Sequence, residues 1–470
     1  MTSSKREKCR VVCSLLLLLV VTLMAVINAR AAEPEVLNLD QLIAMALEKS
    51  PEIKEADQDI AVAQSDLDQA KAGRWAQLDI TGVTGPVEDA DLPTVVVNET
   101  LGNGLFLGEL QNNDKDRIGV FGRLDFNLVQ PLYTFGKISH RQDAAAFGVE
   151  AQKSARIKKN NDIILSIKEL YYALIVAGQG KDAAQDADGF IRDARQRIEK
   201  LIAAGSTNVD ETDLYRLDAF EADIQRFKVK ADSGAQLAYT ALKRTIGYPA
   251  AKDFKLDRYE LPKDMRTLAD REEYIRRALE TRPELEQLEK GLQAQKSMLD
   301  AAKADLYPSF FLAGVASLAG APGRERMPIS YFEDDFNHAY VGVLLGGQWH
   351  FDFGIGQGKV RKAAAEYQKL LHKRDFAEQS IPLQVAKEYQ DVLEARSSYI
   401  SYEKAAKASR KWIVASFANF DMGVGTAKDM FEAIDRYGKN QGDYLRALFD
   451  YHVAVARLEY ASGIDAQSGP

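Results

Sequence analysis

The chain has 470 residues, 28% of them charged, with a formal net charge of −8. That acidic balance offers no electrostatic footprint for nucleic acid. The two cysteines, Cys9 and Cys13, both lie near the start. Residues 1–31 read as a secretory signal peptide: Lys5, Arg6, Lys8 and Arg10 precede an apolar run from Val11 to Ile27, followed by the small-x-small triplet Ala29-Arg30-Ala31. Cleavage after Ala31 removes five basic residues, one acidic residue and both cysteines, and takes the net charge from −8 to −12. Cys13 opens the apolar run instead of following it, so no lipid anchor is expected. The mature chain is expected to stay folded in an oxidising compartment without disulfides, thiol chemistry or cysteine-ligated metal.

Beyond the leader the sequence states one plan twice, over residues 32–250 and 251–464, with a short tail at 465–470. Each repeat opens with a helical, Ala- and Gln-rich run, predicted over Leu39 to Gly73 and again over Leu268 to Lys303. Leu42, Ala46, Ile53, Ile60 and Leu67 recur there at helical spacing. An aromatic follows each run, Trp75 in the first repeat and Tyr307 in the second. Strands are predicted near 75–83, 117–131, 309–318 and 339–353. Val120, Leu124, Phe126 and Leu128 alternate with Phe121, Arg123, Asp125 and Asn127, which is period two with a mostly polar second face. Val341, Val343, Leu345, Trp349 and Phe351 do the same, less cleanly, among glycines.

A proline-free run from Lys137 to about Ala203 then predicts a helix roughly 100 Å long at 1.5 Å per residue. Its counterpart, Val360 to Phe420, contains Pro382, where a bend or local irregularity is expected. Both runs turn, at "AAGSTNVDETD" and "DMGVGTAKDM", and return as helices over Asp210 to Ile246 and Ala427 to Ala461. The first turn is two residues longer. Helices of this length point to a coiled coil or a helical barrel.

Four strands of about ten residues suit the band of a membrane β-barrel. Read as two separated hairpins they cannot close within one chain, and an open edge is not tolerated in hydrocarbon. A membrane reading therefore requires other copies to pair the edges. Trp75, Tyr133, Phe135, Tyr307, Trp349, Phe351 and Phe353 sit where helix and strand meet, as a membrane-interface belt would. Aromatics capping an ordinary core are the alternative at any one of these places. A second reading of the whole chain also stands open: a periplasmic coiled-coil adaptor or structural protein whose strands form a small soluble sandwich.

Other chemistry is weakly signalled. "FGIGQGK" from Phe353 has Phe where a phosphate-binding loop needs its first glycine, and Val360 where it needs Ser or Thr. His140, His338, His350, His372 and His452 have no zinc-ligand spacing, and no G-x-S-x-G elbow occurs.

The order of parts, the paired starts "ALEKSPEI" and "ALETRPEL", the strand exits "QPLYTFGK" and "WHFDFGIGQGK" and the turn "GVGTAKDMFEAIDRY" resemble the TolC-like outer membrane factor family over about Leu37 to Gly463. That resemblance implies a mixed α+β fold in a homotrimer: four strands per chain form a twelve-stranded outer-membrane β-barrel, continued by a long periplasmic α-helical barrel. It implies a passive exit channel of a tripartite efflux pump or type I secretion system, surrounded by outer-membrane lipid. The implied partners are a periplasmic adaptor and an inner-membrane RND or ABC transporter. It implies no catalytic residues, cofactor or metal. Aligning the family's turn glycine with Gly423 places its periplasmic gate acids on Asp429 and Glu432, the second a departure from the more usual aspartate. Asp213 is the nearest acidic counterpart in the first repeat.

Overall fold

The structure is a computed structural model that describes residues 34–88, 95–98, 104–107, 118–263, 265–324 and 334–463. The leader and the tail at 465–470 lie outside the described residues. A three-residue strand, β1 (Glu35–Leu37), leads into helix α1 (Leu39–Lys49). Asn38 starts that helix through a capping box: its Oδ1 accepts from Gln41 N–H at 2.8 Å, and Gln41 Oε1 accepts from Asn38 N–H at 2.9 Å.

The single helix predicted over Leu39 to Gly73 is two helices. The backbone leaves the helical region at Ser50 (ψ 130°), and α2 (Pro51–Ala72) begins at the next residue. Proline disfavours helical geometry in the residue before it. The second repeat breaks at the equivalent point, where Arg282 (ψ 126°) separates α5 (Arg271–Thr281) from α6 (Pro283–Ala304).

Between these pairs run β2 (Gln77–Glu88), β3 (Val95–Asn98), β4 (Gly104–Leu107), β5 (Ile118–Tyr133), α3 (Lys137–Ala203), α4 (Glu211–Thr245) and β6 (Phe254–Leu256). After α6 come β7 (Ser309–Gly320), β8 (Ala339–Gln348), α7 (Ile355–Asp421) and α8 (Ala427–Ala461). Corresponding helices match in length: 11 residues for α1 and α5, 22 for α2 and α6, 67 for α3 and α7, and 35 for α4 and α8. Helix α7 passes through Pro382 without interruption.

The strands are not two separated hairpins. β5 and β7 pair antiparallel, so one sheet of order β2-β5-β7-β8 spans both repeats, with β2 and β8 at its edges. A register shift lies between Pro131 and Tyr133 in β5. Two further pairs occur: β1 with β6 in parallel, and β3 with β4 antiparallel.

Two compact units divide the chain, and each draws on both of its halves: residues 1–56, 156–283 and 378–470 form one, and 57–155 and 284–377 form the other. The first holds two hydrophobic cores. One gathers Leu42, Ile53, Ile167, Tyr171, Leu242, Phe254, Leu261, Tyr399 and Leu448 around β1 and β6. The other joins the ends of four helices: Ile191, Ala194 and Ile198 of α3, Leu217 of α4, Ile413, Phe417 and Phe420 of α7, and Met430, Ile434 and Tyr437 of α8. Their three- and four-residue steps are the seam spacing of packed long helices.

Candidate functional site: the sheet faces, their aromatic ends and the two turns

Side chains alternate across the sheet, and its pairing aligns the alternation on all four strands. Ile80, Phe126, Ala316 and Val341 lie side by side, as do Leu78, Leu128, Gly314 and Val343. This apolar face is not covered: Val341 is 82% exposed and Leu345 76%, and Ile80, Val120, Leu312 and Leu318 are exposed too. A soluble sheet buries its apolar face against another layer. Here the polarity is inverted.

The other face mixes apolar residues with a bonded polar cluster. Ser317 Oγ lies 2.6 Å from Asp125 Oδ1 and 2.7 Å from His338 Nε2, and Arg123 Nε donates to Asp125 Oδ2 at 2.9 Å. A serine, a histidine and an aspartate thus meet, but not as a hydrolytic triad. There the acid orients the histidine; here it holds the serine, and His338 Nδ1 faces the backbone oxygen of Asp334 at 2.9 Å.

The aromatics at the strand ends form two groups. Phe135 stacks on Tyr307 at 5.2 Å between ring centroids and meets Tyr133 edge-on at 4.7 Å. Trp349 packs on Phe351 at 4.6 Å and donates its indole N–H to the Leu306 carbonyl at 3.0 Å. Trp75 and Phe353 stand exposed. Phe135 and Phe353, the last residues before the glycines that open α3 and α7, both have φ near +50° (52° and 50°).

Each turn follows one scheme. A glycine with φ 76°, Gly205 or Gly423, ends the long helix. The N–H groups of Ser206 and Val424 return to the carbonyls of Leu201 and Asn419, a Schellman closure. A capping box then starts the return helix, with Asp210 and Asp213 in α4 and Thr426 and Asp429 in α8. Asp213 and Asp429 are therefore structural equivalents, but their surroundings differ. Asp213 is 9% exposed and pairs with Arg216 at 3.4 Å. Asp429 is exposed, and its Oδ2 accepts from the Thr426 hydroxyl at 2.7 Å and the Thr426 N–H at 3.1 Å. Those donors, the hydroxyl first, hold its carboxyl below the usual aspartate range. Glu432 is exposed one turn further along α8, and the corresponding place in α4 belongs to Arg216.

Sequence reasoning missed a strap. The segment between β6 and α5 is tied down by side chains of the long helices α3 and α8. Tyr171 donates to Asp257 at 2.8 Å, His452 Nε2 donates to the Pro262 carbonyl at 2.9 Å, and Tyr451 accepts from Arg266 N–H at 3.0 Å. Glu459 pairs with both Lys168 and Arg266. Burial of the His452 ring, opposed by its bond to Pro262 and aided by Arg266, pushes its pKa down. Burial also pushes neighbouring Tyr172 up to about 12. Scattered tyrosines carry no spacing signal, so this contact set had no signature in the sequence.

Comparison with known proteins follows the same lines. A family profile described as "outer membrane efflux protein" matches residues 274–464. The alkaline protease secretion protein AprF of Pseudomonas aeruginosa is 22% identical over 347 residues, covering 72% of this chain and 69% of AprF. Among solved structures, the outer-membrane channel OprN superposes with a TM-score of 0.72 at 17% identity, over 90% of this chain and 89% of OprN. The MtrE outer membrane channel of Neisseria gonorrhoeae superposes with a TM-score of 0.70 at 16% identity, over 90% and 88%. The helix-rich, mixed α+β fold is the one that these two channels share. The part of the chain from 274 to 464 is thus similar to the outer membrane efflux proteins, and the fold as a whole to the solved channels.

Proposed function

We propose that this protein is the outer-membrane channel of a tripartite efflux pump or type I secretion system, a passive exit for small molecules or proteins. Three chains close a twelve-stranded barrel, and their long helices form a tunnel in the periplasm. The observation that carries this reading is the uncovered apolar face, continuous across all four strands. Hydrocarbon is the environment that such a face fits. The open edges of β2 and β8 require further copies, because an unpaired edge costs several kcal/mol per peptide group in lipid. The same face argues against a small soluble sandwich in an adaptor.

On this reading Trp75, Tyr133, Phe135, Tyr307, Trp349, Phe351 and Phe353 lie at the membrane–water boundary, and Asp429 with Glu432 forms acidic rings at the periplasmic end. Asp213, buried and paired with Arg216, is a poor gate residue. The partners are a periplasmic adaptor and an inner-membrane RND or ABC transporter. The division into repeats at 32–250 and 251–464 belongs to the same proposal, supported by the matched helices. Membrane fractionation followed by native mass spectrometry in detergent tests it. Three chains per particle from the outer membrane are expected; a monomer stable without detergent would overturn the reading.

A further inference from the structure

Phe353 has φ 50° and is 103% exposed. The left-handed region costs a non-glycine residue roughly 1 kcal/mol or more, and such strain persists where surroundings enforce it. Phe135 shows what those surroundings are. It has the same backbone conformation and is held by its stack on Tyr307. That stack lies at the β5–β7 joint, where the strands of one repeat meet those of the next.

Tyr307 has its own counterpart. Trp75 precedes β2 by two residues, as Tyr307 precedes β7, and each closes the preceding helix with the same bond, to the carbonyl three residues back. Trp75 is 71% exposed. The chain therefore displays both halves of a second Phe135–Tyr307 joint, one at each open edge of its sheet.

We propose that the β5–β7 joint recurs between subunits: β8 pairs antiparallel with β2 of a second copy, and Phe353 stacks on Trp75 of the partner subunit. This rests on the trimeric-barrel reading above and adds the register. Tyr133 pairs with Phe310 in the joint within the chain. Tyr133 precedes Phe135 by two residues, as Phe351 precedes Phe353; Phe310 follows Tyr307 by three, as Leu78 follows Trp75. Phe351 therefore faces Leu78 of the partner subunit. The shift between Pro131 and Tyr133 has no counterpart here, because Val341, Val343, Leu345, Trp349 and Phe351 stay in phase, so Trp349 faces Ile80 of the partner subunit and Leu345 faces Thr84 of the partner subunit. This register keeps the apolar face continuous across the seam, whereas a slip of one residue would turn that of β2 inward.

The polar clamps do not recur. Within the chain Lys137 Nζ donates to the Tyr307 carbonyl at 2.8 Å, and Arg141 pairs with Asp305 at 2.8 Å. The corresponding places at the seam belong to Ile355 and Lys359, facing Trp75 and Gly73 of the partner subunit. The aromatic pair thus carries more of the seam than its counterpart carries of the internal joint.

Directly opposed residues of an antiparallel pair have Cα atoms about 4.5 or 5.5 Å apart, both within disulfide reach. The test is the double variant T84C/L345C in the full chain, which has no other cysteine after Cys13. Mild oxidation is expected to give covalent dimers and trimers on a denaturing gel, reversed by reductant, while T84C/V343C, two residues out of register, gives far less. Preferential linking of T84C/V343C would overturn the register. If neither links while native mass still shows three chains, the seam is wrong and the channel reading survives; a monomer would remove both. As a second arm, W75A and F353A should each lower the temperature at which the trimer dissociates, and the double variant should lower it little further. Fully additive losses would overturn the stack.

Discussion

Asp429 has two tasks for one carboxylate, since it starts α8 and it faces solvent beside Glu432. Replacing it by alanine would remove a cap contact, typically about 1 kcal/mol, together with the charge. D429N/E432Q is the cleaner change, because asparagine still offers an oxygen to the Thr426 N–H. In the proposed trimer up to six formal charges would be lost, so block of single channels by a trivalent cation from the periplasmic side should weaken sharply, and cation selectivity should fall. Block equal to the parent's in planar-bilayer recording would place the gate elsewhere. His452 makes a different prediction. Its folded pKa lies below its ordinary value, so the unfolded chain binds the proton first as pH falls. Stability should therefore decline from about pH 7 towards the lowered folded pKa, with Arg266, Tyr172 and Tyr451 as the neighbouring groups. H452Q cannot take up that proton. Its helical melting temperature should drop less between pH 7 and pH 5, and an equal drop would show that the strap does not titrate.

At the scale of elements, the helices and strands follow from local pattern, and the departures have local causes too. Period-two alternation placed β5 within two residues and the start of β8, but ran five residues past its end at Gln348, because Trp349 and Phe351 keep the alternation after the pairing stops. Proline-free length placed α3, whereas Ser50-Pro51 and Arg282-Pro283 each split a run whose apolar spacing continues across the break. Pro382 shows the opposite outcome: α7 is one helix, so packing on Ile381 and Val385, both buried, overrides the local preference. Two substitutions separate core from membrane-facing elements. Ile198 is fully buried among four helix ends, and I198A should lower unfolding stability by about 2–5 kcal/mol, read as a shift in denaturant midpoint. V343R on the uncovered sheet face should cost about 2–4 kcal/mol at the bilayer midplane and reduce the outer-membrane yield. N127R, on the opposite face, should be tolerated and alter conductance instead. Equal yields for the two arginine variants would contradict the assignment of faces.

For the molecule as a whole, the double plan was legible because two long segments share punctuation: a Pro-Glu start, an aromatic stop and a glycine turn. The β5–β7 pairing was not legible. It joins residues almost two hundred positions apart, such as Leu128 and Gly314, and alternation fixes which face a strand presents but not which strand lies beside it. The capping equivalence of Asp213 with Asp429 was half visible as acidic spacing. The contrast that matters, Arg216 against Glu432, needed the two turns to be matched. Equal helix lengths carry one more consequence. The core near the turns takes residues from the far ends of α3 and α7 and the near ends of α4 and α8. Removing one heptad from α3 alone would draw its end back by about 10 Å and leave the other three helices with nothing to meet. Any change of reach must therefore be made in all four helices together, which turns the span into a quantity inherited in whole steps and resistant to gradual drift.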